Sequence, residues 1–237
     1  MTTKYFLLTK NPSKSTSDNT DNQLVFLNNP LSFILPAVNL DYYAAFGLFE
    51  NGLIEWAKQL CGSTKNFLDI GAHSGTYSLC LSDFCNQVYS FEPQKMTYYA
   101  LCGSVALSNK HNITCYNFAL GSDEQVGTTT LKIHSNDGGG SSLHISDVDP
   151  VLREEDITVK TLDSLDISNI GLIKMDVENN ELYVLKGALN TIEQSGYPKI
   201  LFESNKENTE LFDFLQIELG YRIISITGIK NMFLAEL

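Results

Sequence analysis

A glycine-bearing turn and three acidic segments hold the residue types that could do chemistry in this chain. The turn is Asp69-Ile70-Gly71-Ala72-His73-Ser74-Gly75-Thr76-Tyr77, which leaves a short apolar run and opens a helix. Backbone amides at a helix start are a ready anion or carboxylate site. The turn is neither G-x-G-x-x-G nor a Gly-Lys-Ser/Thr phosphate loop, so it lacks the glycine that brings backbone against a pyrophosphate. A nucleoside ligand without a pyrophosphate fits it better. Glu92 follows Asp69 by 23 residues and ends the next apolar run, where a carboxylate can accept both hydroxyls of a ribose. Taken singly, the two read equally as a tight turn and a capping acid; their shared register favours the ligand. Further along stand Asp176-Val177-Glu178-Asn179-Asn180-Glu181 and Glu203-Ser204-Asn205. These supply candidates for a general base, which must reach the proton that it takes. Asp176 comes first, with Glu178, Glu203 and His144 as rivals. Glu178 and Glu181 read equally as acids at a helix start. Asp147, Asp149, Glu154, Glu155 and Asp156 read as solvated surface, and no metal is expected.

Each chemical segment ends a strand-like run. NFLDI (66–70), QVYSF (87–91), ITCYN (113–117), GLIKM (171–175) and KILFE (199–203) are short and apolar. Between them lie helical spacings. Phe49, Leu53, Trp56, Ala57 and Leu60 predict a helix over 49–60, and another follows over 75–83. Met96, Tyr99, Ala100, Gly103 and Leu107 share one face of a third. Leu182, Leu185, Leu189 and Ile192 mark a fourth, and Leu211, Leu215 and Leu219 a fifth. YRIISI and NMFLAEL close the chain as an antiparallel hairpin. Strands alternating with helices give an α/β, doubly wound, seven-stranded and mostly parallel sheet. Ligands bind such sheets beyond the carboxyl ends of the strands, where the acids and the turn fall.

One stretch breaks the rhythm. In 121–163, TTTLKI and DITVK read as strands separated by the glycine-rich SNDGGGSSLHISDVDP, a β-rich insertion expected to lie over the carboxyl edge as a lid. Its GGGSS segment is expected to move when no acceptor is bound. Residues 1–46 read as an extension whose 10–23 segment is polar and flexible, and 47–237 as the main domain.

Composition narrows the function classes. Across 237 residues, 43% are hydrophobic, enough for a sizeable core. Lys and Arg number 16 against 28 Asp and Glu, a net charge of −12, which argues against coating nucleic acid or an anionic membrane. No apolar run approaches the roughly 20 residues of a membrane span. Five scattered cysteines without a C-x-x-C pair read as reduced thiols, and a cytoplasmic location is expected. Oligomeric state is not legible.

The turn resembles the first motif of class I S-adenosylmethionine-dependent methyltransferases, and the chain is similar more narrowly to the FkbM family. SFEP (90–93), NFALGS (117–122), GGGSSL (138–143) and TLDSL (161–165) carry that resemblance. The strongest segment is IKMDVENNELYVLKGA (173–188), against a family pattern of Asp-Val-Glu-Gly-x-Glu. The likeness spans about 47–205. His73 departs from a common Asn and bears on the contact to the cofactor's methionine end. Asn179 replaces Gly and must take whatever backbone geometry Gly took, with the left-handed region in reach of Asn.

The resemblance implies methyl transfer from S-adenosyl-L-methionine to a hydroxyl, of a sugar or glycan precursor. It implies cofactor contacts from Asp69, Gly71, Ala72, His73, Gly75, Tyr77, Glu92, Pro93, Phe118, Ala119 and Asp176. Ser141, Ser142 and Glu178 would meet the acceptor, and Asp176, Glu203 or His144 would act as base. Two alternatives stand beside it: a nicotinamide-dependent enzyme acting on a nucleotide-sugar, and a non-catalytic S-adenosylmethionine-binding protein.

Overall fold

The computed structural model describes residues 4–9, 18–19, 22–23, 31–144 and 150–237. Most of the polar 10–23 segment, and Asp147 and Asp149, lie outside the described residues. The main sheet holds β3 (Asn66–Ile70), β4 (Val88–Phe91), β5 (Ile113–Tyr116), β9 (Ile170–Met175), β10 (Lys199–Glu203), β11 (Arg222–Ser225) and β12 (Met232–Glu236). Their order is β11-β12-β10-β9-β3-β4-β5. The five from β10 to the edge strand β5 are parallel, and β12 runs antiparallel to both of its neighbours. The closing hairpin and the alternating runs therefore fold as their patterns indicate.

Neighbouring residues of each strand go to opposite faces. Leu68, Ile173 and Ile200 pack with α5 (Glu181–Lys186), α6 (Leu189–Gln194) and α7 (Thr209–Asp213) through Leu182, Ile192 and Leu211. Phe67, Leu172 and Leu201 pack on the other face, against α2 (Asn51–Ala57) and α3 (Thr76–Leu81), through Ile54 and Leu79. Helices on both faces leave the carboxyl edge open to ligand.

Three readings need correction. The helix expected over 49–60 spans only 51–57, and α1 (Leu40–Phe46) precedes it, carrying three aromatic rings and burying no residue. The leucine helix of 182–192 breaks at Gly187 into two, leaving Leu189 exposed. In α4 (Lys95–Leu107) the apolar face faces outward: Met96, Tyr99 and Leu107 are exposed, while Thr97, Ala100, Leu101 and Ser104 are buried. The cause is the N-terminal hairpin of β1 (Tyr5–Thr9) and β2 (Ser32–Pro36), whose β2 edge lies on α4. Its amides need acceptors, and hydroxyls supply them. Ile34 N donates to Ser104 Oγ and Ser32 N to Ser108 Oγ, each at 2.8 Å.

The insertion is a separate sheet of β6 (Ala119–Leu120), β7 (Gly127–Ile133) and β8 (Arg153–Lys160), in the order β6-β8-β7. The TLDSL segment is a short helical turn whose Asp163 accepts from Asn190 N and Thr191 N, capping α6.

Candidate active site

A cavity of about 290 Å³ opens at the carboxyl edge of β3, β4 and β9. Its floor is the turn after β3. Gly71 has φ +79°, and a Cβ there would come within 1.8 Å of the Asp176 carbonyl, so only glycine lets the ends of β3 and β9 meet. His73 follows at φ 49°. Its amide donates to Glu92 Oε2 at 2.9 Å, and Gln94 N donates to Glu92 Oε1 at 2.8 Å. Glu92 is thus fixed by two backbone donors with lone pairs still open to the cavity. Burial pushes it up to about 7, against those two amides, which pull it down.

Lys174 lies in β9 and Asp176 just past its end, two residues on. Lys174 Nζ donates to Asp176 Oδ2 at 3.0 Å and lies 5.2 Å from the Tyr77 ring centre. Tyr77 donates its hydroxyl to Glu50 Oε2 at 2.8 Å. Burial acts to lower the Lys174 ammonium, but Asp176, Asp69 and Glu50 outweigh it and raise it overall, so the lysine is charged. Burial raises Tyr77 too, with Glu50 adding to it, and the phenol stays neutral.

The glycine-rich segment reaches this edge. His73 Nε2 meets the Asp137 carbonyl at 2.7 Å, Gly140 N donates to Glu178 Oε1 at 3.1 Å, and Ser142 Oγ donates to Glu178 O at 2.8 Å. Glu178 and Asn179 have φ of 52° and 74°. Asn179 thus holds the left-handed geometry within reach of a glycine replacement. On the opposite wall Phe118 packs near Phe91, with Lys160 Nζ 4.7 Å from its ring centre.

Of the residues singled out by sequence, Gly71, Ala72, His73, Tyr77, Glu92, Pro93, Phe118, Ala119, Ser141, Asp176 and Glu178 line the cavity. Five do not. Asp69 is buried behind the turn, accepting from Ser78 N and Oγ at the start of α3, and its Oδ1 has no protein partner. Gly75 packs on Leu101. Ser142 is turned onto the Glu178 carbonyl, and His144 is held by Asn180 at 3.1 Å and stacked on Tyr183. Glu203 ends β10 beside the cavity with much of its side chain in solvent. Loss of water on its inner side, then Asp176, Glu178 and Glu50, push it up to about 7. Sequence reasoning missed Lys174, Glu50, Tyr43 and Asp137, all on the wall. Lys174 carried a signal: a lysine inside an apolar run of a central strand has no water to reach and needs a partner.

The strand order, the antiparallel β12 and the ligand edge define the fold of class I methyltransferases. The methyltransferase FkbM of Methylobacillus flagellatus KT shares that fold, with a TM-score of 0.52 and 20% identity over 79% of this chain and 46% of that one. This chain therefore spans about half the length of that relative. Precorrin-6y C5,15-methyltransferase of Geobacter metallireducens GS-15 is similar at TM-score 0.49 and 11% identity, over 79% and 87% of the two chains. An rRNA methylase of Streptococcus thermophilus follows at TM-score 0.47 and 10% identity, over 78% and 92%. No curated protein matches the chain.

The chain belongs to the FkbM methyltransferase family: the family model described as "Methyltransferase FkbM domain" matches residues 69–223. Membership implies S-adenosyl-L-methionine as cofactor and displaces the nicotinamide alternative. The residues present fit that cofactor. Were it bound in this cavity, Glu92 would be a fixed acceptor for ribose hydroxyls, Phe118 would offer an aromatic wall to adenine, and Asp176, Glu178 and Glu50 would set a negative field around a sulfonium. Among the described residues no three His, Cys, Asp or Glu side chains gather as metal ligands, and no helix is long and apolar enough to cross a membrane.

Proposed function

We propose that this protein transfers a methyl group to a hydroxyl oxygen, that of a sugar or glycan precursor, with Asp176 as general base. The bound cofactor supplies an electrophilic methyl on a sulfonium sulfur. Alignment of oxygen, carbon and sulfur supplies most of the catalysis in such an in-line displacement. The observation that carries the reading is Asp176: a carboxylate one-third exposed on the cavity wall, oriented by Lys174 at 3.0 Å. That ion pair leaves Oδ1 to take the hydroxyl proton as the oxygen–carbon bond forms and the carbon–sulfur bond breaks. Glu203 is a rival by its elevated affinity for protons, which suits a base near neutral pH. It stands outside the cavity wall, so Asp176 is preferred.

Asp176→Asn tests the assignment. The amide keeps the shape and cannot take a proton, so turnover at saturating cofactor should fall by about 10²–10⁴. If Asp176 only holds cofactor, the dissociation constant of S-adenosylhomocysteine rises instead and saturated turnover survives. That outcome would move the base to Glu203 or His144.

A further inference from the structure

The N-terminal aromatic residues beside the cavity are not among those assigned to the cofactor above. α1 carries Tyr42, Tyr43 and Phe46 on seven residues and buries none of them. Phe46 is 72% exposed. Phe49 stacks on Tyr42 at 4.1 Å and 11° and meets Tyr43 edge-on at 5.0 Å, so the rings form one cluster. Two of its members, Tyr43 and Phe49, line the cavity. A cavity of about 290 Å³ is at the small end for ligand pockets, so a nucleoside cofactor takes most of it and the acceptor meets its mouth.

Apart from the Lys174–Asp176 pair and His73, the charge-bearing groups among the described residues that line the cavity are carboxyls. Glu50, Asp137, Asp176 and Glu178 line the cavity, with Glu203 beside it. The sole lysine or arginine among its described lining residues is Lys174, which is 4% exposed and already paired with Asp176. Burial lowers the proton affinity of His73, so its imidazole adds no counter-charge. Among the described lining residues a phosphate meets no unpaired cation and several carboxylates; Lys160, beside Phe118, is not a lining residue.

We propose that Tyr43 and Phe49 are the acceptor's stacking platform, and that the acidic rim restricts the acceptor to uncharged hydroxylated rings presenting a C–H face, excluding phosphate-bearing ones. The inference rests on the methyltransferase reading above and adds selectivity to it. Nucleoside-diphosphate sugars and sugar phosphates are poor acceptors, whereas the same rings as neutral glycosides are good ones. Tyr43 and Phe49 are specificity residues and take no proton.

The test uses the full chain, labelled S-adenosylmethionine, a panel of methyl hexosides and the matching hexose 6-phosphates. kcat/KM for the neutral members should exceed that of the phosphates by about tenfold or more at low salt, and the gap should narrow as salt screens the rim. Tyr43→Ala and Phe49→Ala should each raise the KM for the best hexoside about tenfold with kcat little changed. Calorimetry should find their S-adenosylhomocysteine dissociation constants within about twofold of wild type, which also shows that the variants are folded. Equal transfer to the phosphates, unchanged KM in both variants, or no transfer to any hexoside overturns the inference. Failure of the wild-type protein to bind S-adenosylhomocysteine is a separate result and overturns the methyltransferase reading itself.

Discussion

Replacing Lys174 with methionine removes the buried cation and keeps the length of the side chain. Lys174 is 4% exposed, with its ammonium 3.0 Å from Asp176. At an effective dielectric of about 20, that pair attracts by roughly 5–6 kcal/mol. The methionine relieves the lysine's own burial, which offsets several kcal/mol of the loss. Three carboxylates remain: Asp176 is partly hydrated, Asp69 is fully enclosed, and Glu50 is tied to Tyr77. The net loss should be about 2–4 kcal/mol at pH 8, lowering the melting temperature by roughly 2–4 °C for each kcal/mol. The sign of the pH dependence follows from Asp69. Burial already raises it, Lys174 opposes that rise, and the variant raises it further. A carboxylate with raised proton affinity contributes stability that is present below its unfolded pKa and lost as pH climbs through the folded one. The deficit should therefore be larger at pH 8 than at pH 5.5. Urea unfolding of both proteins at both pH values measures it. A deficit under about 1 kcal/mol at pH 8, or one that does not grow with pH, refutes the counter-charge argument.

Three further outcomes follow from the same geometry. Glu92→Ala should weaken S-adenosylhomocysteine binding by about tenfold or more, since a charge-assisted hydrogen bond contributes roughly 1.5–3 kcal/mol; calorimetry with unchanged affinity would sink the ribose assignment. Gly71→Ala forces a Cβ onto the Asp176 carbonyl at positive φ and should cost at least about 3 kcal/mol in denaturant unfolding. Amides of Gly138, Gly139 and Gly140 should exchange quickly in the free protein and slow once S-adenosylhomocysteine is bound; strong protection without ligand counts against a lid.

The sheet was legible because its central strands are buried on both faces, and runs such as NFLDI and KILFE leave no other reading. The floor of the site was legible for a related reason. A glycine-bearing turn and an acid in register both sit at strand ends, where the topology brings them together. The mouth was not legible. Phe49 fits the helical spacing read over 49–60, which predicts a core contact and no cavity wall, and Tyr43 and Glu50 stand in no pattern that points to a site. In α4 the periodicity misled, because the face that packs is chosen by hydrogen-bond need as well as by oiliness. Met96 and Tyr99 form the more apolar stripe, yet the strand amides of Ser32 and Ile34 take the serine hydroxyls as acceptors.

Those two serines act as a ruler. Residues four apart on a helix rise about 6.0 Å, and residues two apart on a strand span roughly 6.6–6.8 Å. Ser104 and Ser108 can therefore meet Ile34 and Ser32 together, in one register, while a slip by one residue presents the wrong edge of β2. The chain runs from β2 through Pro36, itself on the cavity wall, directly into the helix that bears Tyr43. The aperture of the site is thus indexed by two hydroxyls on α4 that do not line it. Shifting that index by a residue pair would change what enters while leaving the turn after β3 and Glu92 in place.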